Sequence, residues 1–248
     1  MLRNICRVVL ASLFIAYIAL AMVYLHFFRS PDNVLCRRVE VVIEKIPGKN
    51  YFTATDILER LKAAKVFPVG KRINDVSVAE IEKTLKRDKL IKHAECFKTV
   101  GGYIKVKIYQ RVPVLRIFSQ SGSYYVDSDR NAMPVPDNFA FYVPVASGHI
   151  DREYAASALY DFALYLQKDK FWASQIAQIY VTRRREVVLT PVVGDHRIIL
   201  GKIDNHKEKL DKLHTFYEKG LNKIGWNRYS TINLKYKNQV VCTLVNND

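Results

Sequence analysis

Ile91-Lys92-His93-Ala94-Glu95-Cys96-Phe97-Lys98, then Thr99-Val100-Gly101-Gly102, then Tyr103-Ile104-Lys105-Val106-Lys107-Ile108-Tyr109-Gln110 is the stretch that decides the fold. In its last run Ile104, Val106 and Ile108 alternate with Lys105 and Lys107, the period of a strand with one buried face. Gly101-Gly102 between the two runs marks a hairpin turn. Upstream, Val39, Val41 and Ile43 alternate with Glu40 and Glu44, which reads as a third strand with one buried face over Arg38 to Glu44. Pro47-Gly48-Lys49-Asn50 reads as the turn after it. Two helical patterns fill the gap. Thr53 to Ala64 carries Ile57, Leu58, Leu61 and Ala64 as its apolar stripe, with Thr53 and Asp56 as a capping pair. The second begins at Ser77, with Glu80 three residues on and Val78, Ile81 and Leu85 behind it. The order β-α-α-β-β predicts two helices on one face of a three-stranded sheet, a small α+β domain.

Beyond Arg111-Val112-Pro113 the pattern becomes β-rich. Short strands read at Leu115 to Phe118 and Tyr124 to Val126, with Asp127-Ser128-Asp129-Arg130-Asn131 as a turn and Val143-Pro144-Val145 as an extended piece. Asp151 to Lys168 reads as one helix, with Tyr154, Ala158, Phe162 and Tyr165 on a face shared with Leu159 and Leu166. Strands follow at Ile176 to Val181, Val187 to Thr190 and Arg197 to Leu200, then a helix at Asn205 to Lys219 with Leu210, Leu213, Phe216 and Tyr217 inward. Thr231 to Tyr236 and Val240 to Val245 are the last strands; they become one if the Lys237-Asn238-Gln239 junction is extended.

The chain has 248 residues, room for one large or two small domains. Val8 to Phe28 carries no formal charge and is nearly all apolar. As a helix it spans ~31 Å, about one bilayer core. Arg3 and Arg7 precede it, Arg29 closes it, and Ser30-Pro31-Asp32-Asn33 is a polar break. A cleaved signal peptide is the rival reading, since Ala19-Leu20-Ala21 offers a cleavage site. The apolar run continues through Met22, Val23, Tyr24, Leu25, Phe27 and Phe28, however, so cleavage would leave an apolar new N-terminus. An anchor is the reading carried forward, with Tyr24 and His26 in the interfacial belt. Long domains translocate largely regardless of flanking charge, which places the tail inside and the rest outside the cytoplasm.

Lys and Arg total 39 against 24 Asp and Glu, a net +15, of which Arg3, Arg7 and Arg29 hold only three. Outside the cytoplasm such charge argues against nucleic acid and for acidic proteins, wall polymers or lipid head groups. Four Cys are too few for a disulfide scaffold. Cys6 falls in the tail; Cys36, Cys96 and Cys242 are an odd set outside it, and a Cys36–Cys96 pairing stays open.

No H-E-x-x-H, G-x-S-x-G or Walker loop occurs. His206 and His214 are eight apart on one helix, too far for one metal, and His26, His93, His149 and His196 have no ligand partners at metal spacing. Asp127 and Asp129 invite an acid/base or cation reading, against an ordinary turn whose carboxylates accept backbone N–H bonds. The expectation is a non-enzyme without catalytic residues, cofactor or metal. Arg183-Arg184-Arg185 is the densest charge cluster: either a solvated hairpin turn or a docking patch for an acidic partner, to which Lys235 and Lys237 would add.

The order of elements resembles the FtsQ/DivIB family of bacterial division proteins, and the likeness covers nearly the whole chain. Gln110-Arg111-Val112-Pro113-Val114 is similar to the family's Glu-Arg-x-Pro stretch, and Ser123-Tyr124-Tyr125-Val126-Asp127-Ser128-Asp129 to its Tyr-x-Leu-Asp-x-Asp-Gly, with Arg130 in place of the Gly. Val143-Pro144-Val145-Ala146-Ser147-Gly148 resembles Leu-Pro-x-x-x-Gly. Ile199-Leu200-Gly201 and Ile232-Asn233-Leu234-Lys235-Tyr236 match its Leu-Gly and Ile-Asp-Leu-Arg-Tyr. The resemblance implies a cytoplasmic tail at 1–7, a transmembrane helix at 8–28, a POTRA-like domain at 36–111 and a β domain at 112–248. It implies a non-catalytic scaffold in the inner membrane at the septum. Such a scaffold would bind FtsB, and FtsL through it, would link early and late divisome proteins, and would help control septal peptidoglycan synthesis. The partner would add a strand at Lys235, Tyr236, Lys237, Asn238, Gln239, Val240, Val241 and Cys242, flanked by Arg183, Arg184 and Arg185. An envelope enzyme acting on peptidoglycan and a POTRA-type assembly factor are the competing readings. The first lacks a catalytic constellation; the second lacks a membrane barrel.

Overall fold

The structure is a computed structural model. It describes residues 2–28, 34–46, 51–120, 122–136 and 139–245, with side chains left aside at 2–9, 11 and 25–28. The break at Ser30 to Asn33, the turn at Pro47 to Asn50 and the side chains of Arg3, Cys6, Arg7, His26 and Arg29 lie outside the described residues. Leu2–Phe28 forms helix α1, 27 residues long. Among the described residues no helix is long and apolar enough to cross a membrane. Leu13, Phe14, Ile15, Leu20 and Met22 of α1 are all exposed.

The chain forms two compact units, one within Met1–Glu44, Phe52–Asp88 and His93–Tyr109, the other within Lys45–Tyr51, Lys89–Lys92 and Gln110–Asp248. The first holds β1 (Val39–Ile43), α2 (Ala54–Ala63), α3 (Val78–Lys86), β2 (Ile91–Lys98) and β3 (Ile104–Gln110). Its sheet runs β1-β3-β2, with β1 parallel to β3 in the register Val39↔Ile104, Val41↔Val106, Ile43↔Ile108. Ile104, Val106 and Ile108 on the central strand are fully buried, as are Ile57, Leu61, Ile81 and Leu85 on the helices. Each helix starts where its cap dictates. Thr53 and Asp56 exchange bonds in a full capping box, and Ser77 Oγ accepts from Glu80 N at 3.2 Å. Two expectations need correcting. Every residue of β1 is half-buried instead of alternating, because β1 is an edge strand. Ala64 is exposed, because α2 ends at Ala63.

The second unit is a nine-stranded mixed sheet with flanking helices, so the chain as a whole is α+β. The strands are β4 (Pro113–Ser119), β5 (Gly122–Asp127), β6 (Ala132–Met133), β7 (Val145–Gly148), β8 (Ile176–Val181), β9 (Val187–Pro191), β10 (Arg197–Gly201), β11 (Tyr229–Asn233) and β12 (Val241–Leu244). They lie in the order β12-β11-β10-β9-β8-β7-β4-β5-β6. Helices α4 (Arg152–Ala156), α5 (Ala158–Lys168), α6 (Lys170–Gln175), α7 (His206–Phe216) and α8 (Asn222–Ile224) complete the unit. Phe162, Leu166, Trp172, Leu210, Leu213 and Tyr217 pack with Leu115, Ile179, Leu189, Ile198 and Ile232 of the sheet in one core.

The predicted helix over Asp151 to Lys168 is two helices, broken at Ser157 (φ −116°, ψ −108°). Arg130 stabilises the break: its guanidinium donates to the Ala156 carbonyl at 3.0 Å, pairs with Asp161 at 2.6 Å and stacks 4.3 Å over the Tyr160 ring. Ala158, expected on the apolar face, is therefore exposed. Helix α6 has no counterpart in the sequence reading; Asp169 caps it, accepting from Phe171 N and Trp172 N. The helix read to Lys219 ends at Phe216 and passes into a π-helical turn, Tyr217–Leu221, which carries the buried Tyr217. Cys36, Cys96 and Cys242 are free thiols.

Candidate partner-binding edge

The carboxylates singled out at the Asp127 turn are structural. Asp127 is fully buried; its Oδ1 accepts from Asp129 N at 2.9 Å and Asn131 N at 2.7 Å, and its Oδ2 pairs with the Arg111 guanidinium. Arg130 sits at φ +64°, so the turn keeps the left-handed geometry a glycine would adopt freely. Gly148 answers to close packing: at φ +107°, a Cβ there would lie 2.2 Å from the Val181 carbonyl oxygen. Among the described residues, no group of three or more His, Cys, Asp or Glu side chains is placed to hold a metal. His196 is buried with Nε2 2.9 Å from the Tyr217 hydroxyl, and burial pushes its pKa down.

The sheet ends on β12. Its register with β11 is antiparallel, Thr231↔Thr243, Ile232↔Cys242 and Asn233↔Val241. No strand lies on its far side among the described residues. The Val245 N–H donates to the Arg228 carbonyl at 3.1 Å. Since inward and outward backbone groups alternate, Val241 and Thr243 also point their N–H and C=O at β11, while both groups of Cys242 and the N–H of Leu244 point off the sheet; the Leu244 carbonyl accepts from Ser230 Oγ of β11 at 3.3 Å. Leu244 and Val241 remain 55% and 40% exposed. Cys242 turns its side chain to the core beside Ile232.

Of the residues read as the docking strand, only Val241 and Cys242 lie on β12. The strand read to Tyr236 ends at Asn233, and Lys235 to Gln239 form the connection to β12, not a continuous strand. The Lys235 N–H donates to Asn233 Oδ1 at 3.0 Å, an Asx-type turn that stops β11. Lys212 of α7 clamps the loop, its Nζ donating to the carbonyls of Tyr236 at 2.7 Å and Lys237 at 2.8 Å. Tyr236 is exposed.

The Arg183 to Arg185 cluster is the β8–β9 turn, and the structure brings it to Lys235. Lys235 Nζ meets Glu186 Oε1 at 2.9 Å, and this bond, with the nearby Arg184, holds the Glu186 carboxyl below its ordinary pKa. Lys235 is thus engaged internally, contrary to a free cation awaiting a partner. Its stem crosses Gly201 (φ +77°), where a Cβ would meet Lys235 Cγ at 2.7 Å. Arg185 is occupied by Asp151 at 2.8 Å and by the Tyr154 ring, while Arg183 and Arg184 are exposed. The docking stretch read from the sequence stops at Cys242, short of Thr243, Leu244 and Val245, which the same reading placed on the last strand. The alternation of exposed Val241 and Thr243 with inward Cys242 was the available signal.

A search of curated proteins returned no match. The family model for a POTRA-like domain matches residues 34–109. The model described as FtsQ/DivIB, C-terminal related, matches residues 112–243, more than half of the chain, and reaches every strand of the nine-stranded sheet. With a POTRA-like unit followed by this sheet, the chain belongs to the FtsQ/DivIB-related family of cell-division proteins.

Proposed function

We propose that the chain is a non-catalytic divisome scaffold that receives FtsB, and FtsL through it, on the open edge of β12. The observation carrying this reading is that edge: a nine-stranded sheet ending on an exposed strand that no further strand covers among the described residues. Strand addition supplies main-chain bonds, and alternate side chains give specificity. Val241 and Thr243 would flank the added strand on the outer face, with Tyr236 at the loop. Arg183, Arg184 and Lys237 would meet acidic partner residues and speed encounter. Residues 8–28 would be the inner-membrane anchor, 1–7 the cytoplasmic tail, and 36–111 and 112–248 the two periplasmic domains at the septum. The uncharged, nearly all-apolar run from Val8 to Phe28 supports the anchor.

Titration of the full chain in detergent with FtsB tests the reading. Tyr236→Ala and Arg184→Glu should weaken binding without lowering thermal stability, the latter more at low salt. Unchanged affinity in both folded variants, and in a variant blocking the β12 edge, would remove this surface as the docking site.

A further inference from the structure

The first unit has a pole with the character of a membrane interface. Backbone bonds join three segments there: Cys36 N to Lys71 O at 2.8 Å, Gly70 N to Cys36 O at 2.9 Å, Ile73 N to Val34 O at 2.8 Å, and Arg37 N to Gly102 O at 3.0 Å. The segment starting at Val34, the Pro68–Lys71 turn and the Thr99–Gly102 hairpin turn therefore share one end of the unit. Each presents an apolar side chain to solvent: Leu35 is 53% exposed, Val69 38% and Val100 fully exposed at the hairpin tip. Arg37, Lys71 and Arg72 stand exposed among them. The acids next to these segments in sequence are Asp32, Glu40 and Asp75, the last at the end of the 3-10 turn Ile73–Asp75, and none stands between Val34 and Val39, 68 and 74, or 99 and 102. The unit as a whole is basic: residues 34–109 hold 17 Lys and Arg against 9 Asp and Glu.

This pole is also where the chain arrives from α1. Only residues 29–33 separate Phe28 from Val34, and at ~3.3–3.6 Å per residue they reach at most about 20 Å. We infer that this pole docks on the outer leaflet of the bilayer, with Leu35, Val69 and Val100 in the interfacial layer and Arg37, Lys71 and Arg72 on anionic lipid head groups. The inference rests on α1 spanning the membrane. Exposed aliphatic side chains ringed by cations suit a surface that is apolar at its centre and negative around it. The short tether keeps the pole at high local concentration, so weak contacts suffice. Docking would fix the orientation of the first unit on the membrane.

The test uses the full chain in nanodiscs of phosphatidylcholine, with or without phosphatidylglycerol. Tryptophan is introduced singly at Val100, at Leu13 in α1 and at Lys83 on the exposed side of α3. Emission is quenched by lipids carrying a nitroxide near the head group or deep in the acyl chain, with the parent chain subtracted for Trp172 and Trp226. Docking predicts that Val100→Trp is quenched by the shallow nitroxide well above Lys83→Trp, and more so with phosphatidylglycerol. Replacing Arg37, Lys71 and Arg72 with Gln should lower the docked-to-free ratio about fivefold per cation. Deep quenching of Leu13→Trp with no excess at Val100→Trp would overturn the docking while leaving the anchor standing, and would turn the pole over to a protein partner. An unquenched Leu13→Trp would overturn the anchor and the docking together. Equal quenching in the two lipids, or no response to the Gln variant, would overturn head-group recognition.

Discussion

Leu244→Pro separates docking at the β12 edge from every other surface. The Val245 bond to Arg228 places the Leu244 N–H on the open side of the sheet. Proline there removes a donor to which no strand is paired among the described residues, so stability should change by less than ~1 kcal/mol. Thr243 is the internal control. Its N–H points to β11 and its hydroxyl lies 2.9 Å from Thr231 Oγ1. Thr243→Pro breaks a ladder bond and should cost about 2–3 kcal/mol of stability. A strand added to β12 would bond to both backbone groups of Cys242 and to the N–H of Leu244, whose carbonyl already accepts from Ser230 Oγ. Losing the Leu244 donor leaves a partner carbonyl unpaired, at about 1–3 kcal/mol. A loss of about 2 kcal/mol is roughly thirtyfold in Kd. Calorimetric titration of the full chain with FtsB, paired with thermal unfolding of the same samples, reads both effects. Leu244→Pro binding within about twofold of the parent, in a chain of unchanged Tm, would refute strand addition at this edge.

Other consequences are equally direct. Val106 is fully buried on the central strand of the first sheet, so Val106→Asp should cost more than ~4 kcal/mol and strip hydrogen-exchange protection from Ile104 to Ile108; retained protection there would refute that burial. Arg130→Gly should relieve about 1–2 kcal/mol of left-handed strain while losing the Asp161 pair and the Tyr160 stack, for a net change within ~1 kcal/mol by denaturant titration. His196 has a pKa depressed by burial, so the unfolded chain takes up its proton first as pH falls. Stability should therefore decline with acidification from about pH 6.5 down toward the folded-state pKa, and a chain with His196→Gln should show a flatter slope in urea titrations across that window.

Much of the fold was legible because local and long-range signals agree. In the first unit the capping residues Thr53 and Ser77, the alternation on β3 and the glycine pair of the hairpin all point one way, and the observed elements follow them within a residue. Where the reading failed, a tertiary contact outweighed a local pattern. The break at Ser157 depends on Arg130 reaching across from the Asp127 turn, which periodicity along one helix cannot reveal. The half-burial of β1 follows from its place at the edge, and strand order is a property of the sheet. Helix α6 is short, and its cap at Asp169 was hidden by the longer pattern before it.

The candidate site was less legible for a related reason. Several residues that carry the family resemblance have structural duties. Asp127 ties a turn through two backbone N–H groups, Gly148 gives way to the Val181 carbonyl, and Gly201 gives way to the stem of Lys235. Such constraints leave marks in sequence because only one or two residue types satisfy them. A docking edge makes no such demand. Its main bonds come from N–H and C=O groups that nearly every residue owns, and its specificity from alternate side chains of modest size. Val241, Thr243 and Leu244 accordingly look like any strand, while the charged residues beside them drew attention and proved partly occupied: Lys235 by Glu186, Arg185 by Asp151. What marks β12 is a fact of topology: it ends the sheet, as β6 does at the other side, and with four residues against the two of β6 it is the longer of the two edges. That fact appears only once the sheet is assembled, so the stretch Lys235 to Cys242 covers the loop beside the edge and only Val241 and Cys242 of the edge itself.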